Sequence, residues 1–492
     1  MCWMNVINAQ PVTFSKIFSN FPLNPENGGI VVSAYDGYVI LSGSSCLNNN
    51  NDDCCTLTKL CQYGNIEWFK QYPFHPGTNT LILHDDLIYV AGHTNEPDSR
   101  YTVYCIDSLG DIVWNRTYAD PSKNSKFPRL ALWGDKLVLC GTQDRNINNR
   151  PAPILYFVVT DMEGNQIGEF YYGDNNESTI PVRTIVDNSD RCLSSYVYCP
   201  DTCFLDLKAG VVAFDTSGSI EWELDLPYSY DPYECVLAQI DSNDLAIKWF
   251  VDNTTIPNHD LTPPAIFFTD MSGNVVDTAI FQNQTLKEVR NMEPVWEKGL
   301  IGCGHEYPDY INQSSPRLFG WLFRMNENRE VLWERSYLDS TYQGETFGLR
   351  HIIPTIDGGY IATGTITNFM TGVWESHNWL LKLDSLGCLQ PGCGSLNYIT
   401  DTEEVVFLKG KDIKIYPNPA SEYVQVELPA DFDFGQNTCA VLVSNTGGIV
   451  RQEKISASNN QLNLSGITSG MYYLMIRRGN EIIGSKRITI IH

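Results

Sequence analysis

The sequence predicts an all-β protein, because short strand patterns separated by turn residues run through nearly its whole length. Of its 492 residues, 12% are aromatic and only 18% are charged, which is typical of an all-β chain with an extracellular type of surface. Runs of about four to eight residues with alternating polarity recur between Gly, Asn and Ser turns. A two-part phrase built from such runs returns along the chain, and this repetition decides the architecture.

The first part of the phrase is a strand that ends in a small residue and Gly, as in Leu87-Ile-Tyr-Val-Ala-Gly92. The second part is a Gly turn followed by a strand with Trp, as in Ser108-Leu-Gly-Asp-Ile-Val-Trp114. Each unit holds four strand patterns, which is the signature of a β-propeller blade. The sequence therefore predicts a seven-bladed β-propeller over residues 10–396. The seven turn residues are spaced 46 to 59 positions apart and are Gly64, Gly110, Gly164, Gly218, Gly273, Asn328 and Gly387.

The seventh repeat stops after Gly387 without a fourth strand, and the N-terminus supplies a match for it. Residues 14–18, Phe-Ser-Lys-Ile-Phe, alternate aromatic and basic side chains, as Trp114, Arg116 and Tyr118 do in the second repeat. We expect this strand to complete the last blade and close the ring, which removes strand edges that would otherwise aggregate. Alternation places the aromatic and basic side chains on one face, where they are expected to pack between blades.

A polar linker, residues 397–410, separates the repeats from a C-terminal unit of different character. Short strand patterns crowd residues 411–492 and predict a small immunoglobulin-like β-sandwich. The net charge changes at the same boundary, from −24 for residues 1–396 to +1 for residues 411–492. A linker of this kind predicts few contacts between the two domains. The formal charge of −25 for the whole chain argues against nucleic acid as a partner.

The C-terminal unit contains Tyr416-Pro-Asn-Pro-Ala-Ser421, the turn Asn445-Thr-Gly-Gly448, Leu464-Ser-Gly-Ile-Thr-Ser-Gly-Met-Tyr-Tyr473 and a terminal strand with Lys486-Arg-Ile. With these motifs it resembles the type A sorting domain of the Bacteroidota type IX secretion system. The resemblance implies export across the outer membrane by the type IX machinery. It also implies removal of the domain by its sortase, and a final location that is secreted or on the cell surface. Residues 12–393 are similar to the propeller-like repeats often found ahead of such domains. The sorting motif, in the family's order and spacing, consists of Tyr416, Pro417, Asn418, Pro419, Gly447, Gly448, Gly470, Tyr472 and Lys486.

Residues 1–9 resemble the remnant of a secretory signal peptide, which agrees with export. No apolar run reaches the length of a membrane-spanning helix, so we expect no transmembrane segment. We also expect the protein to be a monomer. Cys140 and Cys303 occupy the small-residue position before the strand-ending Gly and are expected to be buried thiols. Cys388 and Cys393 flank a Pro-Gly turn and are spaced to close a small disulfide loop.

The long connections between blades, and between second and third strands, are expected on one side of the ring, which is an arrangement for binding. We expect an extracellular glycan or protein ligand there, because rigid aromatic side chains stack on sugars and anchor protein partners. The alternative is a hydrolase or lyase that degrades polysaccharide or peptide on the propeller scaffold. The candidate ligand contacts are His93, His305, Tyr307, Tyr310, Trp374, His377, Tyr228 and Tyr230.

No catalytic residue is predicted, since the chain contains no nucleophile elbow, zinc-protease motif or phosphate-binding loop. A glycosidase pair of carboxylates needs no local motif, so this absence leaves the enzymatic alternative open. No cofactor is predicted either. Acidic pairs such as Asp52 and Asp53 leave calcium binding open, although they lack a regular ligand spacing.

Overall fold

The computed structural model describes part of the chain, and every regular element in this part is a β-strand, which confirms the all-β prediction. The predicted signal remnant, residues 1–9, lies outside it. The described residues are 12–491 without 20–28, 35, 47–48, 95–98, 121, 148–149, 174–177, 200–207, 216, 227–234, 242, 251–263, 282–284, 297, 308–317, 340–345, 371–372, 400–401, 407–412, 430–431, 433, 435–437, 445–448 and 479–480.

Seven sheets in the described part of the chain share one plan, in which four antiparallel strands are hydrogen-bonded in order. We number these sheets 1 to 7 along the chain. Sheets 1 to 3 contain β2 (Ile30–Ala34), β3 (Gly37–Cys46), β4 (Asn49–Cys61) and β5 (Ile66–Tyr72); β6 (His75–His84), β7 (Leu87–His93), β8 (Tyr101–Ile106) and β9 (Ile112–Tyr118); and β10 (Ser125–Trp133), β11 (Lys136–Ile147), β12 (Arg150–Asp161) and β13 (Gln166–Tyr172).

Sheets 4 to 7 repeat the plan, and the last of them takes its fourth strand, β1, from the N-terminus. They contain β14 (Ser178–Val186), β15 (Cys192–Cys199), β16 (Lys208–Phe214) and β17 (Ile220–Asp225); β18 (Val236–Gln239), β19 (Asp244–Phe250), β20 (Pro264–Asp270) and β21 (Val275–Ile280); β22 (Leu286–Pro294), β23 (Leu300–Tyr307), β24 (Phe319–Met325) and β25 (Val331–Asp339); and β26 (Thr346–Pro354), β27 (Tyr360–Met370), β28 (Val373–Leu383) and β1 (Phe14–Ser19).

The first strands of the seven sheets contact one another in chain order, and β26 of sheet 7 also contacts β2 of sheet 1. The succession of sheets therefore returns to its start. Hydrophobic clusters lie between successive sheets, such as the one that joins Tyr89 and Val103 of sheet 2 to Leu139 and Val158 of sheet 3. The core is thus divided into layers between sheets, as expected when each repeat buries its faces against its neighbours.

The N-terminal strand occupies the position predicted for it. Residues Phe14 to Phe18 pair antiparallel with β28, from Phe14 opposite Lys382 to Phe18 opposite Asn378. Ile17 and Phe18 are buried, with 1% and 3% of their surfaces exposed. The prediction that this strand supplies the missing fourth strand of the last repeat is confirmed.

An aromatic side chain on the outer strand of one sheet packs on the turn glycine of the next. The turn glycines have φ between 72° and 82°, and a Cβ on any of them would lie 2.5 to 3.0 Å from the aromatic ring. Only glycine satisfies both the left-handed backbone and this close approach. The predicted packing of these aromatics between sheets is confirmed for Phe14 on Gly64, Trp68 on Gly110, Trp114 on Gly164, Phe170 on Gly218, Trp222 on Gly273 and Trp333 on Gly387.

The contact between sheets 5 and 6 replaces this aromatic–glycine pair with an ion pair. Asp277 stands in the aromatic position, and the turn residue with positive φ is Arg329 at 66°, one position after the predicted Asn328. Arg329 Nη1 lies 3.2 Å from Asp277 Oδ2, and its Nη2 lies 3.1 Å from Asp244 Oδ2. Compared with the other repeats, the aromatic residue is replaced by Asp277 and the turn glycine by Arg329. The two replacements keep a contact between neighbouring sheets at this position.

Replacing Trp114 with Ala should lower the free energy of unfolding by about 2–3 kcal/mol, because the indole fills the space over Gly164. The expected loss is smaller than the ~3–5 kcal/mol of a fully buried tryptophan because Trp114 is only half-buried. The matched control is Trp296→Ala, since Trp296 is 79% exposed and its loss should change stability by less than about 0.5 kcal/mol. Equal urea-unfolding midpoints for the two variants would contradict the packing role of Trp114.

Two short strands from the segment predicted as a linker extend the last two sheets. Strand β29 (Leu396–Ile399) pairs in parallel with β25, and β30 (Glu403–Val406) pairs in parallel with β1. Both additions cover the open edge of an outermost strand, which would otherwise present unpaired backbone groups. The boundary between the two units therefore lies after β30.

The C-terminal unit is a β-sandwich with its own core. A three-stranded and a four-stranded sheet enclose buried apolar side chains from both, including Val424 and Val426 from one and Leu442, Leu474 and Ile488 from the other. The immunoglobulin-like topology stays a prediction. The sheets contain β31 (Lys414–Tyr416), β32 (Tyr423–Glu427) and β35 (Asn459–Asn463), and β33 (Thr438–Ser444), β34 (Ile449–Lys454), β36 (Gly470–Arg478) and β37 (Glu481–Ile490).

Several residues of the sorting motif connect the strands of this sandwich. Asn418 Oδ1 accepts a hydrogen bond from the Thr489 amide at 2.9 Å, and Lys486 Nζ donates to the Ile413 carbonyl at 2.6 Å. The buried Tyr472 hydroxyl donates to the Thr468 carbonyl at 2.8 Å. Two of these bonds join β37 to the residues on either side of β31, and the third is local to the start of β36. Gly447 and Gly448 lie outside the described residues.

The cysteines follow the predictions. Cys388 and Cys393 form a disulfide that closes the loop after the last repeat. Cys140 and Cys303 are free thiols with no exposed surface. A disulfide persists in oxidising compartments, so this bond agrees with a location outside the cytosol.

Candidate functional site

Register shifts interrupt five of the first strands, β6, β10, β14, β22 and β26, and in the last three the shift is a β-bulge of one extra residue. The register shifts between Pro181 and Arg183 in β14, between Val289 and Asn291 in β22, and between Leu349 and His351 in β26. A bulge adds an unpaired residue and re-aims the side chains next to it. Each bulge is followed by a charged or polar residue, Arg183, Asn291 or His351, although first strands form the contacts between successive sheets.

Glu293 of β22 joins side chains from three sheets. Its Oε1 lies 2.5 Å from Arg183 Nη2, 3.3 Å from Asn291 Nδ2 and 4.0 Å from His351 Nε2. Arg183 also donates to the Met292 carbonyl at 2.9 Å. Arg183 belongs to sheet 4 and Glu293 to sheet 6, so this ion pair joins two sheets that are not neighbours in the succession.

A second carboxylate of β22, Glu288, holds a histidine and an arginine. Its Oε2 lies 2.5 Å from His305 Nε2, and its Oε1 lies 2.7 Å from Arg290 Nη2. The ring of Tyr307 meets His305 edge-on, with ring centroids 5.4 Å apart. The His305 side chain is 6% exposed and that of Arg290 is 25% exposed, so solvent reaches the group at the arginine.

Burial, and to a lesser extent the nearby positive charges, lower the pKa values of the histidines in this region. Burial lowers the pKa of His305 well below its ordinary value, and the nearby charges of Arg290, Arg350 and Lys248 lower it further. Burial also lowers the pKa of His351 to about 4. Both imidazoles are therefore neutral at pH 7, and the positive charge of the region belongs to arginine and lysine side chains.

These side chains offer two kinds of chemistry. Guanidinium groups donate paired hydrogen bonds to carboxylate and similar anions. A neutral imidazole held by a carboxylate, as His305 is by Glu288, has the form of a general base. No group of three or more His, Cys, Asp or Glu side chains suited to a metal ion occurs among the described residues. Asp52 and Asp53, the calcium candidates, lie in β4, and their side chains are not described.

The histidines predicted as ligand contacts are buried rather than displayed on open loops. His93 ends β7 and stacks on His75 with ring centroids 4.7 Å apart, and His377 lies in β28. Together with His305 they belong to sheets 2, 6 and 7, with 4% to 9% of their surfaces exposed. Within the predicted set of ligand contacts, the rings of His305 and Tyr307 contact each other in the described part of the structure.

The remaining predicted contacts receive no structural description. Tyr228, Tyr230 and Tyr310 lie outside the described residues, and Trp374 lies in β28 with its side chain undescribed. Their role in binding a ligand stays a prediction.

Sequence reasoning missed the arginines of the first strands. A signal was present, because an apolar residue followed by Arg recurs in β14, β22 and β26 as Val-Arg183, Val-Arg290 and Leu-Arg350. The repeated phrase lies in the second and fourth strands, where Gly and Trp identify it. The first strands carry no such marker, and their periodicity alone does not reveal a bulge.

A cavity of about 840 Å³ lies between sheets 1 and 2 and the C-terminal sandwich. Its lining includes Lys59 and Trp68 from sheet 1 and Tyr473, Met475 and Arg477 from β36. The prediction of few contacts between the domains did not anticipate this shared cavity. The reason is that β36 alternates, and its outward side chains include apolar ones that meet sheet 1.

Residues 414–491 match the family described as the secretion system C-terminal sorting domain. This match covers the C-terminal sandwich and confirms the type IX sorting domain identified from its motif. It indicates export of the chain to the cell surface or to the outside of the cell. None of the described segments forms a helix that is long and apolar enough to cross a bilayer.

Solved structures of low identity are similar to the chain. PorZ, an essential surface component of the type IX secretion system of Porphyromonas gingivalis, is 11% identical with a TM-score of 0.29, and 97% of this chain and 70% of that chain are covered. The polysaccharide lyase Uly1 is 8% identical with a TM-score of 0.47 and coverages of 76% and 98%. The Hadza microbial sialidase Hz136 is 10% identical with a TM-score of 0.40 and coverages of 67% and 72%. No curated protein matches the sequence.

Proposed function

We propose that this chain is an exported seven-bladed β-propeller that binds an extracellular glycan or protein ligand. The observation that carries the proposal is the succession of seven four-stranded sheets, whose first strands contact one another and return to the start. Such a scaffold holds polar side chains in fixed positions at its middle and leaves long connections for contact with a ligand. The type IX machinery is the export partner, and the mature protein acts as a monomer.

The sorting domain serves export and has no part in binding. The resemblance to type A sorting domains implies that the sortase removes it after translocation. The cavity shared with sheets 1 and 2 would then lose the wall that contains Tyr473 and Met475. A ligand site of the mature protein must therefore lie within the repeat region.

The alternative function, a hydrolase or lyase that degrades polysaccharide or peptide, has one observation in its favour. The Glu288–His305 pair, with Oε2 and Nε2 2.5 Å apart, lies beside Tyr307 and Arg290 in a region that solvent reaches. A carboxylate that orients a neutral imidazole is a general-base arrangement, and proton transfer of this kind contributes about 10²–10⁴-fold to a rate.

The full-length protein should show saturable binding, without turnover, to a member of a glycan and polysaccharide array. A reducing-sugar assay on the ligands that bind measures cleavage in the same samples, and heat-denatured protein is the control for nonspecific adsorption. Turnover that is lost in His305→Gln would replace the binding proposal with the enzymatic alternative. A parallel array of extracellular proteins tests the protein ligand, and absence of binding on both arrays would refute the proposed function.

A further inference from the structure

An excess of positive charge lies among the first strands of sheets 4, 6 and 7 and the second strands of sheets 5 and 6. We define the inner cationic cluster by six residues that contact or electrostatically influence one another: Arg183, Lys248, Arg290, His305, Arg350 and His351. Among the described residues, two carboxylates form ion pairs with arginines of this cluster, Glu293 with Arg183 and Glu288 with Arg290. With both histidines neutral, the three arginines of the cluster outnumber these two carboxylates by one.

Arg350 is the cation for which the described residues provide no counter-charge. It lies in the bulge of β26, close enough to His305 and Cys303 to affect the pKa values of both. Within the described part of the chain, no carboxylate forms an ion pair with Arg350, and no acceptor takes a hydrogen bond from its guanidinium. The side chain is half-buried, so it is neither fully hydrated nor paired.

A polar atom of the next residue also has no hydrogen-bond partner among the described residues. His351 is 8% exposed, and its Nδ1 is buried with no hydrogen-bond partner among the described residues. A buried polar atom without a partner destabilises the folded state, and an unpaired buried charge does so more strongly. Arg350 and His351 are consecutive residues at the bulge of β26, so an anion bound there could accept from the guanidinium and from Nδ1 in the tautomer that carries its proton on Nδ1.

The negative charge of the rest of the chain confines anion binding to the inner cationic cluster. The protein carries a formal charge of −25, and residues 1–396 carry nearly all of it. A general attraction for anions is therefore absent from the surface. An anion that binds must reach the cluster itself, where guanidinium groups offer paired donors at low exposure to water.

We propose that the inner cationic cluster binds a carboxylate or sulfate group of an acidic glycan, and that Arg350 contacts this group directly. The inference rests on the proposed function and names its ligand class. A neutral glycan would leave Arg350 unpaired. A small free anion would satisfy the same charge, and titration with sodium sulfate and sodium glucuronate distinguishes it from an acidic glycan.

The test uses the full chain, the Arg350→Gln variant and the Arg116→Gln control. Arg116 is an exposed arginine of the outer strand β9, so its replacement removes the same charge far from the cluster. Calorimetric titration at constant ionic strength compares sodium sulfate, sodium glucuronate, a polyuronate, a sulfated polysaccharide and neutral dextran. Either the polyuronate or the sulfated polysaccharide should bind. Arg350→Gln should weaken that binding at least about tenfold, as expected for a charge-assisted hydrogen bond, and Arg116→Gln by less than about twofold.

Folding is checked by thermal melting, because Arg350→Gln removes an unpaired cation and should leave the melting temperature unchanged or raise it. Binding of sulfate or glucuronate with no binding of either acidic polysaccharide would overturn the inference. Binding of dextran that is equal in wild type and Arg350→Gln would also overturn it, while the proposed function would stand. Absence of binding to every glycan and protein ligand would instead remove the proposed function on which the inference rests.

Discussion

Deleting residues 1–20 should destabilise the repeat region strongly and cause it to aggregate. The deletion removes β1 and with it the hydrogen-bonded partner of both β28 and β30. It also removes Ile17 and Phe18, and each fully buried side chain of this size contributes about 1.5–3 kcal/mol. The edge of β28 would then be open, and exposed edges pair with other chains.

The deletion also breaks the contact between sheets 7 and 1. Phe14 of β1 packs on Gly64 of sheet 1, and Lys16 Nζ donates to Asn65 Oδ1 at 2.9 Å. In a closed succession of sheets, the loss of one contact between neighbours exposes two hydrophobic faces rather than one. The expected effect is therefore larger than that of any single substitution in the outer strands.

The matched control is deletion of residues 1–11, which keeps β1 intact and should leave stability unchanged. Size-exclusion chromatography and thermal melting of the two deletion variants measure the difference. If the variant without residues 1–20 is monomeric and melts at the wild-type temperature, β1 does not close the assembly and the ring interpretation is wrong.

Most of the scaffold could be predicted from the sequence because its rules are local and repeated. The second repeat is an example, since its four predicted strands all occur and its Trp114 packs on the Gly164 turn of the next sheet. The turn between sheets 5 and 6 shows the limit of such reasoning. Arg329 takes the left-handed conformation there and pairs with Asp277 and Asp244, and turn propensities do not predict an arginine at such a position.

The inner cationic cluster could not be predicted, because it depends on which sheets meet at the middle. Arg183 and Glu293 are 110 positions apart, and their contact exists only after sheets 4, 5 and 6 are assembled. The sequence pattern places His93, His305 and His377 next to strand ends, where exposed side chains are expected. The structure buries them, because a side chain at a strand end of one sheet is covered by its neighbour, as His93 is by Phe127 of sheet 3.

Removing residues 411–492 should leave the repeat region folded and keep the protein in the periplasm. The sandwich has its own hydrophobic core, so its removal takes no buried side chain from the cores between the seven sheets. On the repeat side, Met475 packs against the cluster that contains Phe18 and Ile66, and much of the remaining interface encloses the cavity. We expect the truncated protein to melt near the temperature of the repeat region in the full-length chain.

Cell fractionation in a host with a type IX system measures the effect on export. Full-length protein should reach the cell surface or the medium, whereas the truncated form should accumulate in the periplasm. The control is full-length Met475→Ser, which alters the contact with sheet 1 but keeps the sorting motif, and which should be exported normally. If the truncated form reaches the surface, the C-terminal sandwich is not the export signal, and an ordinary adhesion module becomes its better interpretation.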